Sequence, residues 1–289
     1  MKNATAHYVL IWCLALVATA TGVIHQGEGG HVASVTARGE PATLQGHGLY
    51  RYDPASVARE GIIWDAINLF VGLPLFGGAI YLARRNSLRG RLLLSGLLFY
   101  FFYVYLMYAT MVAFNPLFLV YVAIFALCGV GFFLNLSRID VAGLPARMAP
   151  RFPRRLFTVY SIALSVMLVL LWSKLVASVL TSGRFPPDIA GMNTLQTQAL
   201  DLGLVVPLAL ASAVLLARRS PWGYLLTGVI VAFGLMMCIT IPTWIAVALV
   251  EQGTINPIEA VPFLVLCLVG LVLAGLFHRN VQEGAAQKG

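Results

Sequence analysis

Eight apolar runs recur along this chain, at about residues 8–24, 62–83, 92–114, 116–136, 156–177, 198–217, 222–250 and 257–277. Each is near the ~20 residues an α-helix needs to cross ~30 Å of hydrocarbon. An isolated segment in lipid must satisfy its own backbone hydrogen bonds, so the runs read as helices. Composition agrees: with 60% hydrophobic and 10% charged residues, the 289-residue chain carries more apolar surface than one soluble core of that size uses. The expected fold is all-α, a polytopic membrane helical bundle of about eight transmembrane helices, with the lipid bilayer as its first partner.

Alternating the connections between two sides puts Lys2, Arg84, Arg85, Arg89, Arg91, Arg138, Arg147, Arg151, Arg154, Arg155, Arg218, Arg219, Arg279 and Lys288 together. Only Arg38, Arg51, Arg59, Lys174 and Arg184 fall opposite, along with nine of the eleven acids. The positive-inside rule makes the Arg-rich side cytoplasmic, with both termini there and the bacterial inner membrane as the expected location. The net charge of +8 therefore reports orientation and calls for no nucleic acid. Cys13, Cys128, Cys238 and Cys267 all lie in apolar runs, so they form no extracellular disulfide framework and read as small packing residues. Lys2, the short first run and Ala18-Thr19-Ala20 also have the look of a leader with a cleavage site, whose removal would leave seven spans.

Two stretches echo each other. Asn68 precedes Pro74 by six residues and Ala83-Arg84-Arg85 follows; Asp201 precedes Pro207 by six and Ala217-Arg218-Arg219 follows. Gly90 and Gly223 open the next spans, and Asn115-Pro116 is answered by Asn256-Pro257, with spacings that drift by several residues. Read as an internal repeat, these marks divide the chain into 1–140, with an outer loop over 25–61, and 141–289. Four spans in each half would make the repeats parallel, about an axis along the membrane normal. Arginine pairs and Asn-Pro starts are also ordinary membrane punctuation. Locally, Asn115 and Asn256 suit the cap of a helix whose first position is taken by Pro116 or Pro257, and Glu259 would add a near capping box.

The outer loop ends in Gly48-Leu49-Tyr50-Arg51-Tyr52-Asp53. With the Pro-containing helix after it and the later Asp-Leu…Pro helix ending in an arginine pair, the chain resembles a group of uncharacterised bacterial multi-pass membrane proteins. That resemblance implies a membrane bundle over most of the chain and no known activity.

Candidate chemistry is sparse. His25, His31 and His47 share the outer loop with Glu28, Glu40, Asp53 and Glu60, but match no compact metal-ligand spacing, so no metal site is assigned. His7 and His278 lie too near span ends for a bis-histidine haem. Counting inward from Arg84 and Arg218 at ~1.5 Å per residue places Asp65, Asn68 and Asp201 in the outer quarter of the bilayer, and Lys174 reaches the same level. Glu251, Asn256 and Glu259 begin or end helices there. Ionisable groups at this depth face a bundle interior or a hydrated cavity more often than lipid, so Asp65, Asn68, Lys174 and Asp201 are the candidate substrate-binding residues. The alternative for Lys174 is to snorkel outward. A pairing of Lys174 with Asp201 or Asp65 would lower the cost of burial.

The third span, with Phe99, Tyr100, Phe101, Phe102, Tyr103, Tyr105 and Tyr108, could stack on a quinone or simply pack between helices. Pro74, Pro207 and Pro242 should kink their helices, and Thr240 and Thr243 beside Pro242 could line a polar cavity. The sequence contains no P-loop, no nucleotide-binding glycine motif, no H-E-x-x-H and no Gly-x-Ser-x-Gly, and it specifies no cofactor. Three function classes remain. The first is transport or binding of a small polar or ionic solute through an outward-facing vestibule. The second is a membrane-embedded redox or lipid/quinone-handling enzyme subunit, and the third an accessory subunit bound to other membrane subunits. The charge asymmetry predicts that a cysteine near Gly39 reacts with an impermeant thiol reagent in intact cells while one near Leu144 does not; the reverse labelling would overturn the orientation.

Overall fold

In a computed structural model the described residues are 2–36, 38–186, 189, 191–253 and 257–283. Among them, eight helical stretches are long and apolar enough to cross a membrane: Ala4–Ile24, Ala55–Arg84, Leu88–Met111, Phe118–Leu136, Arg154–Ser182, Gln196–Ala217, Pro221–Val250 and Ala260–Asn280. Phe70, Phe114, Leu119, Phe133, Leu180, Val250 and Ile258 stand exposed on the outside, as lipid-facing side chains do. The protein is an all-α, multi-pass membrane bundle.

In chain order the elements are α1 (Lys2–Ile24), strands β1 (Val32–Val35) and β2 (Pro41–Leu44), α2 (Ala55–Ile67), α3 (Leu73–Arg84), α4 (Leu88–Met111) and α5 (Phe118–Leu136). There follow α6 (Arg154–Ser182), α7 (Gln196–Leu200), α8 (Val206–Ala217), α9 (Pro221–Gln252) and α10 (Pro257–Asn280). The first helix packs as a full member of the bundle: Ile11, Ala15, Ala18 and Thr19 are buried, and Trp12 Nε1 donates to the Leu73 carbonyl at 2.9 Å.

The second and sixth spans share one irregularity. Between α2 and α3, Asn68–Gly72 is a π-helical turn closed by the Leu73 N–H on the Asn68 carbonyl. Between α7 and α8, Asp201–Val205 is another, closed by the Val206 N–H on the Asp201 carbonyl. The next residue is Pro74 or Pro207, which has no N–H and whose ring would crowd a carbonyl one α-turn back. Widening the turn by one residue relieves the clash, and wide turns of this kind are frequent at functional sites. The prolines thus produce π turns.

The correspondence then holds at a constant displacement of 133 positions, from 68 to 201 and from 74 to 207. Asn86 and Arg219 both adopt φ 58° to reverse the chain. A side chain at Gly90 would strike Leu82 and Ala83, and one at Gly223 would strike Leu215 and Leu216. Leu73, Phe76, Ala79, Ile80 and Ala83 are the buried residues of α3; Val206, Ala209, Ser212, Ala213 and Leu216, each displaced by the same 133, are those of α8.

Helix α4 packs on α3 and α5, and α9 packs in the same way on α8 and α10. The two central helices meet each other, and the contact of α2 with α9 is matched by that of α4 with α7. At this seam an added Cβ on Gly96 would lie 2.9 Å from the Val229 carbonyl oxygen, and the Tyr100 and Phe233 rings are 6.2 Å apart.

Several sequence expectations need correction. The outer connection ends at Asp53-Pro54 rather than 61, because α2 starts at Ala55, beyond the apolar run. It contains a small antiparallel hairpin, β1 with β2. Asn115 does accept a backbone N–H, from Leu117 at 2.9 Å, but Pro116 lies in that turn and α5 begins only at Phe118. Pro257 opens α10 as expected. Asn256, Pro187 and the side chains of Glu251 and Glu259 lie outside the described residues.

Both ends of the bundle are strapped. At the Arg-poor end the Arg38 guanidinium donates to the Met192 and Asn193 carbonyls at 3.2 Å and lies over the Phe185 ring. At the Arg-rich end the Glu283 carboxylate accepts from Ser87 Oγ and from the first amides of α4, Leu88 and Arg89, where the helix dipole favours an anion. The close approach at Gly96 gives a test: Gly96→Val should destabilise the purified protein by about 1–3 kcal/mol through overpacking. Gly78→Val, with no atoms near its Cβ position, should be nearly neutral; thermal unfolding followed by intrinsic fluorescence separates the two.

Candidate functional site

Toward the Arg-poor end the bundle interior becomes polar. The last turn of α2 places Asp65 three residues before Asn68, and α7 places Gln198 three residues before Asp201. These two pairs are again 133 positions apart, so each half sets two polar side chains on one helix face just ahead of its π turn. Asp65, Asn68 and Gln198 are buried and Asp201 is half-buried.

Asp65 is enclosed by hydroxyl groups. Tyr50, from the outer connection, donates to Oδ2 at 2.5 Å, and Tyr108 of α4 donates to Oδ1 at 3.2 Å. Burial first, and the Asp65 carboxyl second, hold the Tyr50 phenol well above its ordinary pKa, so it remains a donor. Gly22 of α1 makes room on the other side, since a Cβ there would collide with the Asp65 carboxyl. Asp201 is held by Tyr103 at 2.7 Å and by the Trp172 indole N–H at 2.9 Å. Tyr100 donates to Asn68 Oδ1 at 2.8 Å. Tyr100 and Tyr103 are one turn apart on α4, so that helix joins the polar residues of both halves.

Beside this layer lie unused donors. Among the described residues, the buried Nδ2 of Asn68 and the Nε1 atoms of Trp64 and Trp244 have no hydrogen-bond partner. Trp64 and Asn68 share a face of the second span at i, i+4. Trp64 stacks on Tyr100 and meets Trp244 edge-on, both at 6.0 Å between centroids. Buried N–H groups normally find an acceptor.

Of the four residues picked out from sequence, the structure gathers Asp65, Asn68 and Asp201 around α4. Lys174 lies on the exposed face of α6, while Trp172, two residues earlier, faces Asp201. Asp65 and Asn68 are each only 1% exposed, so the layer is closed rather than an open vestibule. Gln198, Trp172, Tyr50, Gly22, Trp64 and Trp244 were missed by sequence reasoning. Only Gln198 had a clear signal, its position 133 residues after Asp65. The tyrosines of the third span pack inward as hydrogen-bond donors. Among the described residues no group of three or more His, Cys, Asp or Glu side chains is placed to hold a metal.

The cover over Asp65 is pinned by Asp53, whose Oδ1 accepts the Ala113 N–H at the end of α4 at 2.7 Å. Its Oδ2 is buried without a partner among the described residues. The fold and site define a multi-pass helical membrane protein with a buried polar layer. Comparison with protein-family models, curated proteins and solved structures gives no match for the chain.

Burial raises the Asp53 carboxyl to about 6 from 3.8, the Ala113 N–H opposing only in part. A raised acid binds its proton more tightly when docked than when released. Its favourable contribution is therefore complete below pH 3.8 and is lost as pH rises through about 6. The cover should dock more tightly in acid, by at most about 3 kcal/mol. Amide hydrogen exchange over residues 48–54, corrected for intrinsic rates, should slow below pH 6 in the wild type and lose that dependence in Asp53→Asn.

Proposed function

We propose that this chain binds, and carries across the membrane, a small polar or ionic solute at the layer formed by Asp65, Asn68, Gln198 and Asp201. The carrying observation is the coincidence, at matching turns of both halves, of an inward polar pair, a π turn and a proline. Structural polar residues need no such repetition, and polar groups are costly enough inside a membrane to be kept mainly where they are used. Their partners are neutral hydroxyl and indole groups, which leave the carboxyl groups available for exchange with a ligand. The unused donors of Asn68, Trp64 and Trp244 offer a ligand acceptor sites in the same layer.

In this reading the two halves arose by duplication and are parallel repeats about an axis along the membrane normal, one of the repeat classes used by transporters. The constant displacement and the matching helix contacts support it. The protein sits in the bacterial inner membrane with its Arg-rich end and both termini in the cytoplasm, as the positive-inside rule directs. It is grouped with the uncharacterised multi-pass proteins that share the Gly-Leu-Tyr-Arg-Tyr-Asp segment. The closed layer is an occluded state, with the Tyr50 segment as its outer cover.

A thermal-shift screen of the purified protein against small polar solutes should find one that stabilises the wild type. Asp201→Asn and Asn68→Leu should each reduce that stabilisation at least tenfold in ligand concentration, with membrane insertion intact. Equal stabilisation of both variants would sink the assignment.

A further inference from the structure

The second site lies at the opposite end. There, a cleft of about 20 Å³ opens between α1, α3 and α4 and the turn after α5, lined by Thr5, Tyr8, Ile80, Ala83, Arg84, Arg91 and Arg138. That volume is enough for one oxygen atom with its hydrogens. Tyr8 is only 5% exposed, and its buried hydroxyl has no hydrogen-bond partner among the described residues. Arg91 and Arg138 are close enough to repel each other, and both act electrostatically on Tyr8. The Arg91 guanidinium donates to the amide oxygen of Asn86, at 3.2 Å. Among the described residues none of the three guanidinium groups forms an ion pair. The nearby acids are engaged elsewhere, Asp140 on the Gly143 amide and Glu283 on the start of α4.

We infer that this cleft binds a phosphate-bearing anion, with one phosphate oxygen accepting from the Tyr8 hydroxyl and the others held between Arg84, Arg91 and Arg138. Arg91 and Arg138 repel each other with no ion pair among the described residues, Arg84 lines the same cleft, and a bound anion removes that repulsion. Arginine suits the role because its planar donors match phosphate oxygens. The depth is also right: Arg84 closes α3 and Arg91 lies in the first turn of α4, where a leaflet's phosphates sit, and basic pockets between cytoplasmic helix ends recognise anionic headgroups. The second half provides an internal comparison. At the displacement of 133, Arg91 is replaced by Tyr224 and Arg84 by Ala217, although the arginine pair Arg218 and Arg219 remains exposed. Simple interfacial charge is thus present in both halves, whereas the cleft with a waiting hydroxyl is described in the first.

The test is native mass spectrometry of the whole chain titrated with phosphatidylglycerol, with phosphatidylcholine as the zwitterionic reference and inorganic phosphate as the soluble one. One phosphatidylglycerol should bind more tightly than the rest. Its affinity should fall roughly tenfold or more in Arg84→Gln/Arg138→Gln, consistent with charged hydrogen bonds of ordinary strength. Tyr8→Phe should weaken it without changing charge, and Arg218→Gln/Arg219→Gln should leave it unchanged. Saturable inorganic phosphate binding with the same mutational pattern, and no tight lipid, would support the site and assign it to a soluble phosphate. Equal losses in both double variants, or neither a preferred first lipid nor saturable phosphate binding, would overturn the proposal. Because Arg84 and Arg138 are exposed, their replacement should not unfold the chain.

Discussion

Everything in this fold follows from the lack of water in the hydrocarbon core, where a backbone or side-chain polar group must find its partner inside the protein. Pro74 and Pro207 each remove a backbone donor in the middle of a span. The chain answers with a π turn, and that wider turn aims Asn68 and Asp201 into the bundle. Those residues then require donors of their own, which α4 supplies through Tyr100 and Tyr103. One missing N–H in each half is thereby linked to the aromatic character of a different helix.

The same constraint explains the two central helices. Helices α4 and α9 are the most enclosed of the spans, because each packs within its own half and also against the other. Gly96 lets their backbones approach, and small residues at such crossings replace the hydrophobic driving force that lipid cannot provide. Around them, α6 is the least buried of the spans and presents most of its surface to lipid. The straps from Arg38 at one end and Glu283 at the other each join parts of different halves, so the closed arrangement is held at both faces of the membrane.

The buried layer and the arginine-lined cleft divide the chemistry by depth. At the Arg-poor end carboxyl groups are surrounded by hydroxyl and indole donors inside the bundle; at the Arg-rich end guanidinium groups surround a lone phenol at the interface. The first arrangement is closed, and the second is a small cleft lined by the exposed Arg84 and Arg138 and by Arg91. Asp53 sits at the edge of the first, where burial brings a carboxyl near the neutral range.

Hydropathy and charge alone determined the number of spans and the all-α class, because crossing a bilayer imposes a length and a composition that can be counted. They also placed Asp65, Asn68 and Asp201 at one depth, since helical rise converts sequence distance into height. Sequence was less informative at the span ends: α2 runs out to Ala55 and the Asn115-Pro116 turn precedes its helix, because lipid no longer enforces helix there. Tertiary structure alone decided direction around each helix axis. Lys174 and Trp172 are two residues apart, yet one faces outward and the other binds Asp201, a difference set by which neighbouring helix each meets. It alone carried Tyr50 from the outer connection to Asp65, and brought Tyr8 beneath Arg91 and Arg138, because such contacts join segments whose separation along the chain says nothing about their distance in space.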